Sequence, residues 1–236
     1  MGSNSQRHRD RPAEDSELNR WQRAQEAERA HPTAHHEMRG DDQAIEQLSH
    51  LNIAPDELTN ATVLAVGAGA GVIHSLPEST TAIAVDPITH ELADRGVLTE
   101  SNAQLTTGAG EALPFPNDCF DYVICWNVLD HVVSPQQVLA EMRRVLLPGG
   151  ILGLSVNTFR NIAPLRSLLD RFDSPHPHHY ARSELLNLIR ESGFIPEVVT
   201  ERPKTELSLS NIKLTIAILV FDITELIIRC EPNKLE

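Results

Sequence analysis

The sequence predicts an α/β fold, a mostly parallel sheet of seven strands with helices on both faces. Three observations predict it. From Thr62 onward, short β-branched runs alternate with helix-like segments. The first run, TVLAV at 62–66, feeds directly into GAGAG at 67–71. The next, TAIAV at 81–85, ends on a carboxylate, Asp86. In such a sheet, ligands bind beyond the carboxyl ends of the strands, near the point where strand order reverses.

Residues 1–16 are polar and charged, and their composition predicts disorder. Residues 17–60 predict a helical cap or lid. Their first segment, ELNRWQRAQEAERA, is built of good helix formers, but few apolar residues share a face. A second short helix is expected over 41–51, with Pro55 ending the region. The main domain then occupies 61–236, with strands expected over 62–66, 81–85, 103–107, 120–125, 151–156, 194–200 and roughly 219–229. Helices are expected from 71 to 75, over 88–96, over 135–147 and over 183–192. The third carries Val138, Met142 and Val145 on one face and is closed by Pro148, Gly149 and Gly150. The fourth takes Ser183 as N-cap and Gly193 just past its end.

Composition excludes several classes. The net charge is -13 and no basic cluster is present, which argues against a nucleic-acid partner. Only Lys204, Lys213 and Lys234 among the twenty basic residues are lysines, and acid-rich, lysine-poor composition suits a halophilic-type, salty cytoplasm. Three cysteines without a CxxC predict a reducing, cytoplasmic setting. The polar N-terminus predicts no signal peptide. The apolar run LTIAILVF at 214–221 is far shorter than the roughly 20 residues of a membrane helix. It predicts a buried segment, with peripheral membrane contact as the alternative.

The glycine loop points to a nucleoside without a pyrophosphate. A dinucleotide fingerprint, GxGxxG, requires a third glycine where this chain has Val72, or His74 in the shifted frame. A nicotinamide-dependent oxidoreductase is therefore disfavoured. Asp86, at the end of the second strand, can accept hydrogen bonds from both hydroxyls of a ribose.

With these residues in view, the sequence resembles the class I S-adenosylmethionine-dependent methyltransferases of the ubiquinone-biosynthesis-like superfamily. The resemblance covers about 62–194 and rests on VLAVGAGAG, AVDP, GAGEALPFPNDCFDYVICWNVLDHV and LAEMRRVLLPGG. It implies a Rossmann-like sheet with an antiparallel last strand, and S-adenosyl-L-methionine as cofactor. The implied cofactor-binding residues are Gly67, Ala68, Gly69, Gly71, Asp86, Pro87, Ala109, Gly110, Glu111, Asn127 and Val128. The family's usual acids are replaced here by Ala65 and Ala109. Each loss removes a hydrogen bond worth roughly 1 to 3 kcal/mol, with Glu111 placed to compensate on the adenine side. A cofactor-less binding or scaffold protein is the alternative reading.

Methyl transfer requires an aligned acceptor and often a base. Asp130 and His131, just after the fourth strand, are the catalytic candidates, against a capping and packing role. The SPHPHHY segment at 174–180 supplies His178, His179 and Tyr180 as acceptor-binding candidates, and its spacing fits no zinc pattern, so no metal is expected. His35 and His36 are candidates for the lid. Arg160 and Arg166, with Arg182, offer partners for a carboxylate or phosphate. The expected acceptor is an acidic small molecule or a sugar, such as a hexuronic acid of a glycan, methylated on oxygen. Oligomeric state is open.

Overall fold

The computed structural model describes residues 22, 26, 41–67, 76–89, 103–160, 177–204 and 221–233. Seven strands form one sheet: β1 (Thr62–Val66), β2 (Thr81–Asp86), β3 (Gln104–Thr107), β4 (Phe120–Trp126), β5 (Leu146–Thr158), β6 (Phe194–Pro203) and β7 (Thr224–Pro232). Helices α1 (Asp41–His50), α2 (Pro135–Val145) and α3 (Arg182–Glu191) accompany them, with a single 3-10 turn at Pro55–Leu58. The strand order is β3-β2-β1-β4-β5-β7-β6. Pairing from β3 through β5 is parallel, and β7 is antiparallel to both β5 and β6. The fold is thus the Rossmann-like, seven-stranded, mostly parallel sheet with an antiparallel last strand.

Several boundaries differ from the sequence reading. β5 begins at Leu146 because the Pro148-Gly149-Gly150 turn is absorbed as an irregularity in the strand. Phe120 pairs with Leu146 and Tyr122 with Ile151, and Gly149 takes φ +86 within the slip. α2 consequently stops at Val145. α3 starts at Arg182, with Ala181 at its N-cap; the Glu184 carboxylate accepts from the Ala181 N–H at 3.0 Å. Ser183 therefore lies inside the helix, not at its cap. β7 starts at Thr224, later than expected. Pro55 opens the 3-10 turn. The helices expected at 71–75 and beyond Thr89 lie outside the described residues, as do the candidate membrane-contact residues 214–220.

Strand order reverses between β1 and β4. Their entry is pinned by one side-chain pair: Asp121 Oδ2 accepts from the Thr62 N–H at 2.8 Å and from Thr62 Oγ1 at 2.7 Å. That register carries Val66 alongside Cys125 and aligns the ends of both strands.

Alternation along the strands divides the core in two. Leu64, Val66, Val123, Cys125, Leu152, Leu154 and Val156 face α2 and α3, packing with Val138, Met142, Leu185 and Ile189. Val63, Ala65, Ala84, Ile124 and Ile227 face the other way, against Leu48, Leu51, Ile53 and Leu58. Part of the expected cap is therefore a core layer: Leu48, Leu51 and Leu58 are almost wholly buried. Residues 17–40 lie outside the described residues except Gln22 and Glu26, which are helical and exposed. Close approach of this layer depends on Gly153 in β5, where a Cβ would sit 2.5 Å from Leu51 Cδ1 and 3.0 Å from Ile124 Cδ1. Gly153→Val is expected to destabilise the protein by about 1 to 3 kcal/mol through overpacking, read as a lowered urea midpoint with an unchanged slope.

Candidate active site

Two strands leave the sheet at the reversal through left-handed residues. Gly67 takes φ +87 and Asn127 φ +55, a conformation that glycine adopts freely and asparagine tolerates. Gly67 N–H donates to Val85 O at 2.8 Å, and Asn127 N–H to Ser155 O at 2.8 Å. Each exit is thus tied to its outer neighbour, and the β1–β4 crevice lies between them. Val128 crosses over Gly67 so closely that a Cβ there would collide with Val128 Cγ2. Ala68, Gly69 and Gly71 lie outside the described residues.

At the end of β2, Asp86 Oδ1 accepts from the Ile88 N–H at 2.9 Å, a turn set up by Pro87. Buried Thr89 anchors this turn, its hydroxyl reaching Asp86 O at 2.7 Å and Thr106 O at 3.0 Å. The carboxylate therefore stands at the strand end, beside the crevice. The segment after β3 runs alongside: Gly108 N–H donates to Asp86 O at 3.2 Å, Ala109 O accepts from Ala112 N–H at 3.1 Å, and Gly110 lies against Val138 and Val66. Glu111 has a structural task. Its Oε1 accepts from the Val133 and Ser134 N–H groups at 2.8 and 3.3 Å, at the N-terminal entry to α2. The oxygen thus engaged belongs to the residue expected to compensate for the missing acid at 109.

The 113–117 loop is held from behind by α2. Arg144 pairs with both oxygens of Glu141 at 2.7 and 2.8 Å and donates to the carbonyls of Phe115 (2.8 Å) and Leu113 (3.0 Å) and to Asn117 Oδ1 (3.0 Å). Glu141 Oε2 accepts in return from the Leu113 N–H at 2.8 Å. The Arg144 guanidinium holds the Glu141 carboxyl below its ordinary pKa, aided by the Leu113 N–H against the opposing effect of burial. The sequence reading did not identify this clamp; its signal is an acid and an arginine three apart on the polar side of an amphipathic helix.

Beyond β4, Asp130 is 1% exposed, and its Oδ1 lies 3.8 Å from His131 Nε2 without a hydrogen-bond partner. That separation is an ion-pair distance, too long for a hydrogen bond. The His131 ring is mostly covered. Burial, then the Asp130 charge, push the Cys125 thiol and the Tyr180 phenol up out of reach of ordinary titration. Tyr180 and His178 brace this loop. Tyr180 OH donates to Leu129 O at 3.2 Å, and His178 Nε2 lies 2.9 Å from Val132 O, which requires the proton on Nε2. The two rings stack at 6.0 Å, and buried His179 packs edge-on to Phe159 at 5.1 Å. Of the three acceptor-binding candidates, His178 and Tyr180 thus also support the loop after β4, while His179 lies against Phe159.

At the end of β5, Asn157 Nδ2 donates to Asn127 Oδ1 at 2.8 Å, and wholly buried Ser155 donates to Glu225 Oε1 at 2.6 Å. Neither pair was anticipated from sequence. Arg160 follows two residues after β5 and is exposed, its N–H donating to Phe221 O at 2.7 Å. Arg182 is paired with Glu201 at 2.8 Å, both side chains being about half exposed. Arg166, His35 and His36 lie outside the described residues. No group of side chains that could hold a metal ion occurs among the described residues.

A methyltransferase domain model matches residues 64–154. An uncharacterized methyltransferase of Mycolicibacterium vanbaalenii is 36% identical over 97 residues, 40% of this chain and 38% of that protein. Residues 64–154 are thus similar to a methyltransferase domain. A ubiquinone/menaquinone biosynthesis C-methyltransferase of Coxiella burnetii is 32% identical over 81 residues, 34% of this chain and 32% of that protein. Among solved structures, the YcgJ protein of Bacillus subtilis superposes with a TM-score of 0.65 at 18% identity, covering 79% of this chain and 99% of that one. The chain thus matches less than half the length of these curated relatives, whereas the fold likeness spans most of it.

Ala65, where the methyltransferases that this sequence resembles carry an acid, lies in the core. Ala65 is wholly buried in the apolar layer with Ala84, Ile124 and Leu51. A carboxylate at that position would be buried among hydrocarbon, at considerable cost. The Glu141–Arg144 clamp is expected to matter for stability: Arg144→Ala should cost about 2 to 3 kcal/mol, since it frees a partly buried carboxylate and two carbonyls at once. Because the folded-state pKa of Glu141 is depressed, its contribution is present above the ordinary glutamate pKa. It is lost as pH falls through the depressed value. Chemical denaturation of wild type and Glu141→Gln should therefore diverge at neutral pH and converge in acid.

Proposed function

We propose that this chain is an S-adenosyl-L-methionine-dependent methyltransferase that methylates an oxygen of an acidic small molecule or sugar, such as a hexuronic acid of a glycan. The observation that carries this reading is the convergence at one sheet edge of Gly67, Asp86 and Asn127 with the orphaned, buried Asp130 Oδ1 beside His131. The crevice fits the cofactor. Gly67 lets Val128 close over the end of β1, and a carboxylate closes β2 where a ribose diol needs an acceptor. Ala109 and Gly110 offer a flat backbone beside it, and Asn127 and Val128 border the opposite wall.

The bound cofactor supplies an electrophilic methyl group on a sulfonium. The task of the chain is to hold, align and deprotonate the acceptor. Asp86 takes the diol through charge-assisted hydrogen bonds. His131 takes the acceptor hydroxyl proton, with Asp130 orienting the ring and stabilising its cationic form. The 3.8 Å separation is of the loose kind that tightens when a ligand closes a site. Arg160, exposed just past the end of β5 and without an ion pair among the described residues, supplies a fork for an acceptor carboxylate. Arg166 is its proposed companion.

Calorimetric titration with S-adenosylmethionine and S-adenosylhomocysteine tests the cofactor assignment. Saturable binding is expected, weakened about a hundredfold or more in Asp86→Ala, since two charge-assisted bonds at roughly 1.5 kcal/mol each exceed the 2.8 kcal/mol of two decades. A folded wild-type protein that binds neither would instead identify a cofactor-less scaffold. With an acceptor in hand, His131→Ala should lower kcat by about 10² to 10⁴ with little change in cofactor affinity. Arg160→Ala should raise KM for acidic acceptors only.

A further inference from the structure

The β5–β7 ladder carries polar side chains that the proposed chemistry does not use. Asn157 and Glu225 are direct partners across the antiparallel β5–β7 ladder, so their side chains emerge side by side on one face. Ser155, two residues back on β5, shares that face and secures Glu225 Oε1. Asn157 is oriented by its amide N–H bond to Asn127, which sets its carbonyl oxygen apart, buried and without a partner. Glu225 is itself partly exposed and faces Arg202 across the β6–β7 ladder as well as Asn157 across β5–β7. α1 crosses the same face: Leu51 sits on Gly153, and Glu46 reaches Arg202 of β6 at 3.4 Å. Gln47, on the intervening turn and 6% exposed, also holds a buried carbonyl oxygen with no partner.

Buried acceptors left unsatisfied cost roughly 1 to 3 kcal/mol each. The Asn157 oxygen stands beside Asn127, at the crevice where the methyl is to be delivered. We infer that Asn157 and Glu225 receive two neighbouring hydroxyls of the methyl acceptor, which makes the acceptor a vicinal diol of the sugar or polyol class. The match is chemical and geometric. A vicinal diol presents two donors a few ångströms apart, and two facing side chains of a β-ladder present two acceptors at similar spacing. A neutral diol also avoids the desolvation cost that an ammonium group would bear at a partly buried carboxylate. Ser155, by holding one Glu225 oxygen, is a positioning residue that turns the other outward. Arg160, three residues past Asn157, lies where a carboxylate on the same ring is met.

This inference rests on the methyltransferase reading, and its test separates the two. The full chain is saturated with S-adenosylhomocysteine, whose affinity is measured independently, and titrated with glucuronate by ligand-observed NMR. Cyclohexanecarboxylate (same charge, no hydroxyls) and cyclohexylamine serve as comparison probes. Glucuronate should bind saturably and both comparison probes far more weakly. Glu225→Gln should weaken glucuronate about tenfold while S-adenosylhomocysteine affinity and melting temperature stay unchanged. Asn157→Ala, which also loosens Asn127, should reduce glucuronate affinity by a larger factor than cofactor affinity. Equal binding of cyclohexanecarboxylate, preferential binding of the amine, no glucuronate binding at millimolar concentration, or wild-type affinity in Glu225→Gln would each overturn the diol assignment. Failure of S-adenosylhomocysteine to bind would overturn the cofactor reading alone, since glucuronate titration can be run without it.

Discussion

The constraint on which the rest of the site depends is the reversal of strand order between β1 and β4. Parallel neighbours that run on into connections in opposite directions must part at their carboxyl ends, and the parting creates a crevice. Here both strands turn away within one residue, through the left-handed Gly67 and Asn127. The outer ladder bonds, Gly67 to Val85 and Asn127 to Ser155, keep the crevice walls attached to the sheet. The Thr62–Asp121 pair at the opposite end sets the register that makes the two exits level.

Rigidity behind the crevice comes from α2. Its N-terminal entry is bonded by Glu111, and its polar face carries Glu141 and Arg144, whose guanidinium gathers three acceptors of the 113–117 loop. The motif residues of this region are thus joined to one another. LPF and EMRR belong to a single hydrogen-bonded unit, although about thirty residues separate them in the chain. A loop so fixed can present its backbone to a ligand without ordering it at the moment of binding.

The loop after β4 receives the same treatment from the other side. Tyr180 and His178 hold the carbonyls of Leu129 and Val132, leaving Asp130 buried beside His131 with one oxygen unsatisfied. Such incomplete satisfaction in a well-packed region is where ligand chemistry is concentrated. The Asn157 carbonyl oxygen, beside Asn127, is a second instance.

The sequence alone determined the alternation of strands and helices, the place of the glycine turn and the acid that ends β2. These features are local, written in period and spacing within a few residues. It also placed Asp130 and His131 at the exit of β4. Tertiary structure decided what depends on distant partners. β7 inserts between β5 and β6, an order that no periodicity records. Residues 47–58 became a core layer because Gly153 admits Leu51. His178 and Tyr180 found main-chain carbonyls, and Glu111 two N–H groups, because those groups, far along the chain, came within hydrogen-bonding reach. Asn157 and Glu225, ordinary polar residues in sequence, became neighbours only through the antiparallel ladder that folding built.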